Sequence, residues 1–261
     1  MTATADPRAL HIPHPRARAT SVVYAIAHAG AGAAPWNEVA AAMPDAVELR
    51  ALRLPGRENR FRTPAHTSMA SAVDELRGIV QRDAADHGKP VVLVGSCSGA
   101  LVAVAVAGVL ALPVAGLVVV RQPVPDNIDS ADGLASMSSE ALRQWVHERR
   151  ITPGALLDSG MFEFFEPVLR ADLSVVEGYR YTGPLRHMPV HLVHCSWGGA
   201  EPQPEAWRRV TDGSVERTYL DVEGDPLAEH PAELAAAIIR LTTDVPPAYS
   251  SSDSAISGQD T

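Results

Sequence analysis

Pro90-Val91-Val92-Leu93-Val94-Gly95-Ser96-Cys97-Ser98-Gly99-Ala100-Leu101-Val102-Ala103-Val104-Ala105-Val106 is the stretch that decides the fold. An apolar β-type run ends in a turn with glycine on both sides, and a second apolar run of helical character follows. A buried strand, a tight turn and a helix form the setting in which a nucleophile is lifted above the edge of a parallel sheet. The turn needs small flanking residues because its central residue is held in a strained backbone conformation. That central residue is usually serine, and here it is Cys97.

Outward from this turn, β-like and helical segments alternate. Residues 21–27, 47–54, 115–120, 190–194 and 216–222 read as strands, and residues 36–43, 68–85, 205–210 and 231–242 read as helices. In the 68–85 segment Met69, Val73, Leu76, Ile79 and Val80 recur on one helical face. The alternation breaks after Pro125, where residues 138–181 read as consecutive helices containing Met161-Phe162-Glu163-Phe164-Phe165. Strands alternating with helices predict an α/β fold: a mainly parallel central sheet with helices on both faces. The helical insertion, about residues 127–186, is expected to form a cap over the strand ends. The domain is expected to span 19–244, between a loose leader at 1–18 and a disordered tail at 245–261 that carries Pro246-Pro247 and Ser250-Ser251-Ser252.

The bulk properties narrow the function classes. The chain has 261 residues, 46% of them hydrophobic, and a formal net charge of −9. The acidic balance argues against a general nucleic-acid binder. No apolar run reaches the ~20 residues a membrane-spanning helix needs, and Met1 to Arg8 holds no apolar secretory core. The expectation is a cytoplasmic monomer with neither nucleic-acid nor membrane partners. Its two cysteines, Cys97 and Cys195, form no disulfide framework and have no metal-ligand spacing. No metal site is expected. Cys195 reads as a small buried hydrophobe, whereas Cys97 reads as chemical because of its turn.

Four further stretches, in order, carry a resemblance: Ala27-His28-Ala29-Gly30-Ala31-Gly32, Leu54-Pro55-Gly56-Arg57-Glu58-Asn59-Arg60-Phe61, Leu169-Arg170-Ala171-Asp172-Leu173 with Tyr179-Arg180-Tyr181, and Glu229-His230-Pro231-Ala232-Glu233-Leu234. With the Cys97 turn, the chain resembles the type II thioesterases of polyketide and nonribosomal peptide assembly lines, which have the α/β-hydrolase fold. The resemblance covers roughly residues 20–243. It implies an enzyme that takes an acyl chain from the phosphopantetheine arm of an acyl or peptidyl carrier protein, with no other cofactor. It also implies an oxyanion hole made by the backbone N–H groups of Ala29 and Ser98.

The chain departs from that family at all three members of the Ser-His-Asp triad. Cys97 replaces the serine. Where the family has its aspartate, after the strand at 189–193, this chain has His194-Cys195-Ser196-Trp197-Gly198-Gly199-Ala200, with no carboxylate before Glu201. Where the family has a Gly-Gly-His turn, this chain has Glu223-Gly224-Asp225-Pro226. Arg121 occupies the strand end where some α/β-hydrolases place their acid, and it cannot supply the missing carboxylate.

Two readings compete. In one, Cys97 remains a nucleophile, since a few per cent of a free cysteine is thiolate at pH 7 and a helix N-terminus favours that form. His28 is then the best substitute base and His194 the second. His230, ahead of Pro231, reads better as a helix start, and Asp225 either orients a histidine or caps a turn before Pro226. The acyl-Cys97 thioester is hydrolysed, or a cyclase or acyl transferase hands it to an internal nucleophile. In the other reading the site is degraded and only binds acyl chains or carrier protein. Phe162 and Phe165 are expected to line the acyl channel, or to serve with Phe164 as the core of the cap. Arg57 and Arg60 are expected to make structural ion pairs with Glu58 or neighbours, or to meet the carrier phosphate.

Overall fold

The computed structural model describes residues 6–122, 133–148, 160–177, 179–181, 183–195, 204–222 and 225–243. Seven strands form one sheet in the order β1-β3-β2-β4-β5-β6-β7. They are β1 (Leu10–His11), β2 (Ser21–Ile26), β3 (Val47–Leu52), β4 (Val91–Ser96), β5 (Val114–Val120), β6 (Val190–Cys195) and β7 (Val215–Leu220). The pairs from β3 to β7 are all parallel, and β1 alone runs antiparallel, placing Leu10 opposite Leu52. This is the α/β-hydrolase class of architecture, as the alternating pattern implies.

The central strands are apolar throughout because helices cover both faces. All six residues of β2 and of β4 are buried. On one face α2 (Met69–His87) and α3 (Ser98–Ala107) pack Leu76, Val80, Leu101 and Val104 against Tyr24, Leu93 and Leu117. On the other, α1 (Asn37–Ala41) and the C-terminal helix (Pro231–Thr243) pack Val39, Leu234 and Ile238 against Val23, Val92 and Val118. The ends of α2 follow the capping rules: Ser68 accepts the Ser71 N–H, and Gly88 closes the helix in the left-handed region at φ 62°. None of the described helices is long and apolar enough to cross a membrane.

The described part of the insertion between β5 and β6 contains α4 (Ser139–Glu148) and α5 (Phe162–Val176), and α6 (Pro204–Trp207) follows β6. The C-terminal helix is therefore α7. Leu134, Leu142, Val146, Phe162, Leu169 and Leu173 form a separate apolar cluster that also takes in Ala29, from the loop after β2. The cap and that loop share one small core. Residues 149–159 and the tail at 245–261 lie outside the described residues.

One expectation is corrected. The leader expected at 1–18 is built into the domain from residue 6 onward. Pro7–Ala9 form a 3₁₀ turn capped by the Asp6 side chain, and Leu10 and His11 are β1. Its anchors are the arginines of the 53–60 segment: Arg60 reaches Asp6 at 3.1 Å, and Arg53 donates to the Arg8 carbonyl at 2.6 Å. A turn anchored by distant side chains and a two-residue strand paired to β3 leave no periodic pattern in their own sequence.

Candidate active site

Cys97 follows β4 and precedes α3 with φ 52° and ψ −125°, a region that non-glycine residues rarely occupy. The conformation is held from both sides: the Cys97 N–H donates to the Val120 carbonyl at 2.8 Å, and its own carbonyl accepts from Ala100 N–H at 2.9 Å. The flanking glycines are obligatory. A Cβ on Gly95 would overlap the Ala100 Cα and the Gly99 carbonyl, and one on Gly99 would overlap the Ala27 carbonyl and lie 2.7 Å from that of Ile26. The second contact means that the loop after β2 lies directly on the first turn of α3. Cys97 is partly exposed, at the positive end of the helix, where a negative charge is favoured.

That loop, His28 to Gly32, is pinned at several points. The Ala31 N–H donates to the His28 carbonyl at 3.1 Å and the Gly30 N–H to Asp172 Oδ2 at 2.7 Å. Arg57 Nη1 donates to the Ala31 carbonyl at 2.8 Å and to Asp172 Oδ2 at 2.7 Å, while Nη2 reaches Asp172 Oδ1 at 2.6 Å. Glu58, paired with Arg53, closes against Gly32 and accepts the Ala34 N–H at 3.1 Å. Among the described residues nothing accepts the Ala29 N–H. Ser98 N–H, in the first turn of α3, has no intrahelical acceptor by geometry. The two N–H groups expected to hold an oxyanion therefore have no acceptor among the described residues.

Around the elbow lies a small charged group. His28, Cys97 and Arg121 follow β2, β4 and β5, three neighbouring strands, so all three stand at one sheet edge. Arg121 takes φ 55° and lies 3.6 Å from Asp225, which has returned from beyond β7. Asp225 also builds a turn, its Oδ1 accepting from Leu227 N–H at 3.3 Å and its carbonyl from Ala228 and Glu229. Burial pushes the His28 imidazole below its usual 6.5; Asp225 opposes that shift, and Arg121 adds to it. That direction favours the neutral imidazole, the state a base requires.

The other expected residues have neighbours of their own. His194, near the end of β6, sets its ring 5.8 Å from that of Tyr219 on the edge strand β7. His230 opens α7, accepting the Leu234 N–H, and sits 3.7 Å from Glu233. Cys195 is buried. Phe162 is buried in the cap cluster beneath Arg143, whereas Phe165 packs on Gly30, where any Cβ would overlap its ring. Phe164 is exposed. Arg60 pairs with Asp6 and Glu75, and Arg57 pairs with Asp172 rather than with Glu58. Residues 196–203, which follow β6 in the sequence, lie outside the described residues.

Sequence reasoning passed over Asp172. Its signal is present: Leu169, Asp172, Leu173 and Val176 share one helical stripe, and a lone carboxylate on an apolar stripe needs a buried partner. Among the described residues no group of His, Cys, Asp and Glu could hold a metal ion.

Known proteins align with this geometry. The profile of the thioesterase domain matches residues 22–241. The medium-chain S-acyl fatty acid synthase thioesterase of Homo sapiens is 27% identical over 187 residues, 66% of this chain and 67% of that protein. RedJ, a thioesterase from the prodiginine biosynthetic pathway in Streptomyces coelicolor, superposes with a TM-score of 0.74 at 25% identity, covering 88% of each chain. BorB, the type II thioesterase of the borrelidin cluster, superposes with a TM-score of 0.78 at 22% identity, covering 92% of this chain and 99% of its own, and so shares the fold. With an α/β sheet, a strand–turn–helix elbow at Cys97 and a thioesterase profile that spans residues 22–241, the chain belongs to the thioesterase family of hydrolases.

Proposed function

We propose that this thioesterase acts on acyl chains held as thioesters on the phosphopantetheine arm of an acyl or peptidyl carrier protein, in polyketide or nonribosomal peptide biosynthesis, through an acyl-Cys97 intermediate. The observation that carries the reading is Cys97 in an intact elbow, at the N-terminus of α3, against a pinned donor loop. RedJ, a thioesterase named for a biosynthetic pathway, supports a pathway-bound acyl thioester as the substrate class. The reading needs no cofactor or metal beyond the substrate's own arm. It places the enzyme in the cytoplasm as a monomer.

In this reading His28 takes the Cys97 proton as Sγ attacks the thioester carbonyl carbon. The oxyanion rests on the Ala29 and Ser98 N–H groups. Collapse breaks the bond from carbon to the carrier sulfur, which leaves with the proton from His28. A second nucleophile then attacks the acyl-Cys97 thioester, gives its proton to His28, and frees the thiol. His28 is preferred to His194 because Asp225 and Arg121 bear on it, while His194 faces Tyr219.

Release by an internal hydroxyl or amine of the chain is a second reading, favoured by one observation. The turn where the family carries its water-activating histidine holds Asp225, 3.6 Å from Arg121. A thioester intermediate remains reactive enough to acylate a weak internal nucleophile. Incubation with an N-acetylcysteamine acyl thioester, followed by intact mass, tests both. An adduct that Cys97→Ala abolishes and His28→Asn slows is expected. An adduct stable in water but released by a chain bearing its own nucleophile selects ring closure. Neither adduct nor turnover would leave only a non-catalytic acyl- or carrier-binding protein.

A further inference from the structure

The loop that carries the Ala29 donor is held by the cap and not by the sheet alone. Asp172, on α5, lies 142 residues from Gly30 in sequence, yet its Oδ2 accepts the Gly30 N–H at 2.7 Å. The same oxygen receives Arg57 Nη1 at 2.7 Å, and Oδ1 receives Nη2 at 2.6 Å. Arg57 in turn donates to the Ala31 carbonyl at 2.8 Å, so one ion pair grips the loop at two successive residues. Both side chains are buried, Arg57 to 7% and Asp172 to 6% exposure. Phe165, from the same helix, lies over Gly30, and Ala29 packs into the cap cluster.

We propose that Asp172 and Arg57 are positioning residues for acyl transfer: through Gly30 and Ala31 they aim the Ala29 N–H at the developing oxyanion, so the donor is in place only when α5 is docked. The proposal rests on the acyl-Cys97 reading for its kinetics but not for its geometry. The physical argument concerns orientation. A peptide N–H next to an unrestrained glycine turn rotates freely, and an oxyanion donor works only if its direction is fixed before reaction. Gly30, at φ 78°, supplies the turn and no stiffness. Inside the loop the Ala31 N–H bonds to the His28 carbonyl, and the Arg57–Asp172 pair adds its restraint from outside. A bidentate Arg–carboxylate pair is the stiffest polar contact available. Its burial screens it from water, which suits positioning better than stability.

The test needs a variant that folds. Removing one partner strands a buried charge, so the informative protein is the Arg57→Met/Asp172→Leu double variant, which leaves none. Three quantities are read: acylation of Cys97 by an N-acetylcysteamine thioester, alkylation of Cys97 by iodoacetamide, and hydrogen exchange of the amides in 28–32. Alkylation needs the thiolate but no oxyanion hole. The expected result is acylation slowed about 100-fold with KM little changed, the scale of a lost oxyanion donor. Alkylation stays within about twofold, and exchange quickens in 28–32 but not in β2 or α3. The Arg57→Met/Asp172→Asn variant, which keeps an acceptor for Gly30 N–H and strands no charge, is expected to recover part of the acylation rate.

Unchanged acylation in the folded double variant, or acylation and alkylation falling together, overturns the proposal. If the double variant does not fold, Arg57→Lys carries the same readouts, since it keeps the charge but loses the fork. If the parent protein forms no acyl adduct, the reading of function fails. The exchange measurement then still decides whether the pair holds the loop, and unchanged exchange in 28–32 overturns it.

Discussion

The carboxylate of Asp225 stands 3.6 Å from the guanidinium of Arg121, and both charges bear on the imidazole of His28. An acid from the turn beyond β7 thus meets a base from the end of β5, across the intervening strand β6. The pair partly cancels itself, which leaves burial as the dominant influence on His28.

The two partners are therefore predicted to tune His28 in opposite directions. Asp225 favours the imidazolium, so Asp225→Asn lowers the His28 pKa further and moves the acid limb of Cys97 acylation to lower pH. Arg121 disfavours the imidazolium, so Arg121→Gln raises that pKa and moves the limb up. Imidazole NMR titration beside the pH profile of acylation checks both. Shifts of the same sign, or none, would remove the pair from any role in setting the base.

The elbow glycines are predicted to be intolerant of even one methyl group. Gly99→Ala drives its Cβ into the Ala27 and Ile26 carbonyls, and both obstacles are backbone that cannot swing aside. Overpacking of this kind costs about 1–3 kcal/mol. Because the displaced backbone is the donor loop, acylation falls as well. Gly88→Ala is the control for strain without a clash, since a Cβ there meets nothing within 4 Å. Urea denaturation of the two variants separates crowding from left-handed strain.

Phe162 and Phe165 are three residues apart on α5 and have separate consequences. Phe162 is 1% exposed in the cap cluster, so Phe162→Ala is predicted to destabilise by about 3–5 kcal/mol. Phe165 is only partly buried and covers Gly30. Phe165→Ala is predicted to leave the unfolding midpoint nearly in place while lowering kcat/KM roughly tenfold, the worth of one apolar contact in a substrate pocket. Equal losses of stability in both variants would assign Phe165 to the cap core alone.

The fold was legible because buried parallel strands announce themselves. The run Val91 to Val94 and the run Leu117 to Val120 have no polar member, and glycines around Cys97 fix the turn between strand and helix. The elbow and the loop at His28 could be located for the same reason: their backbone requirements are written in glycine. What stayed hidden depends on long-range side-chain pairing. Arg57 and Asp172 are 115 residues apart, and the turn that leads into β1 is held by Arg53 and Arg60 rather than by its own pattern. Asp225 reads as a turn residue from Pro226 alone, and its turn contacts agree; its contact with Arg121 comes only from the folded chain.

Acid unfolding is predicted to proceed in two stages. Burial lowers the pKa of His28, His87 and His191 below 6.5 in the native state. The unfolded chain therefore binds more protons than the native one as pH falls past 6.5, and stability present above that value is progressively lost below it. His191 makes the clearest case. It is fully buried on β6, its Nε2 meets Thr218 Oγ1 at 2.8 Å, and its Nδ1 has no partner among the described residues. Protonation would add a charge there, beside the Arg240 cation and with Glu216 as the opposing influence. The second stage begins below about 4.5, where Glu75, held low against its burial by His66 and Arg60, takes up its proton; Asp6, held at about 2 by Arg8, follows. Urea midpoints between pH 7.5 and 3 resolve the stages. His191→Phe should flatten the first and leave the second; an unchanged slope between pH 7 and 5 in that variant would mean that the first stage does not come from His191.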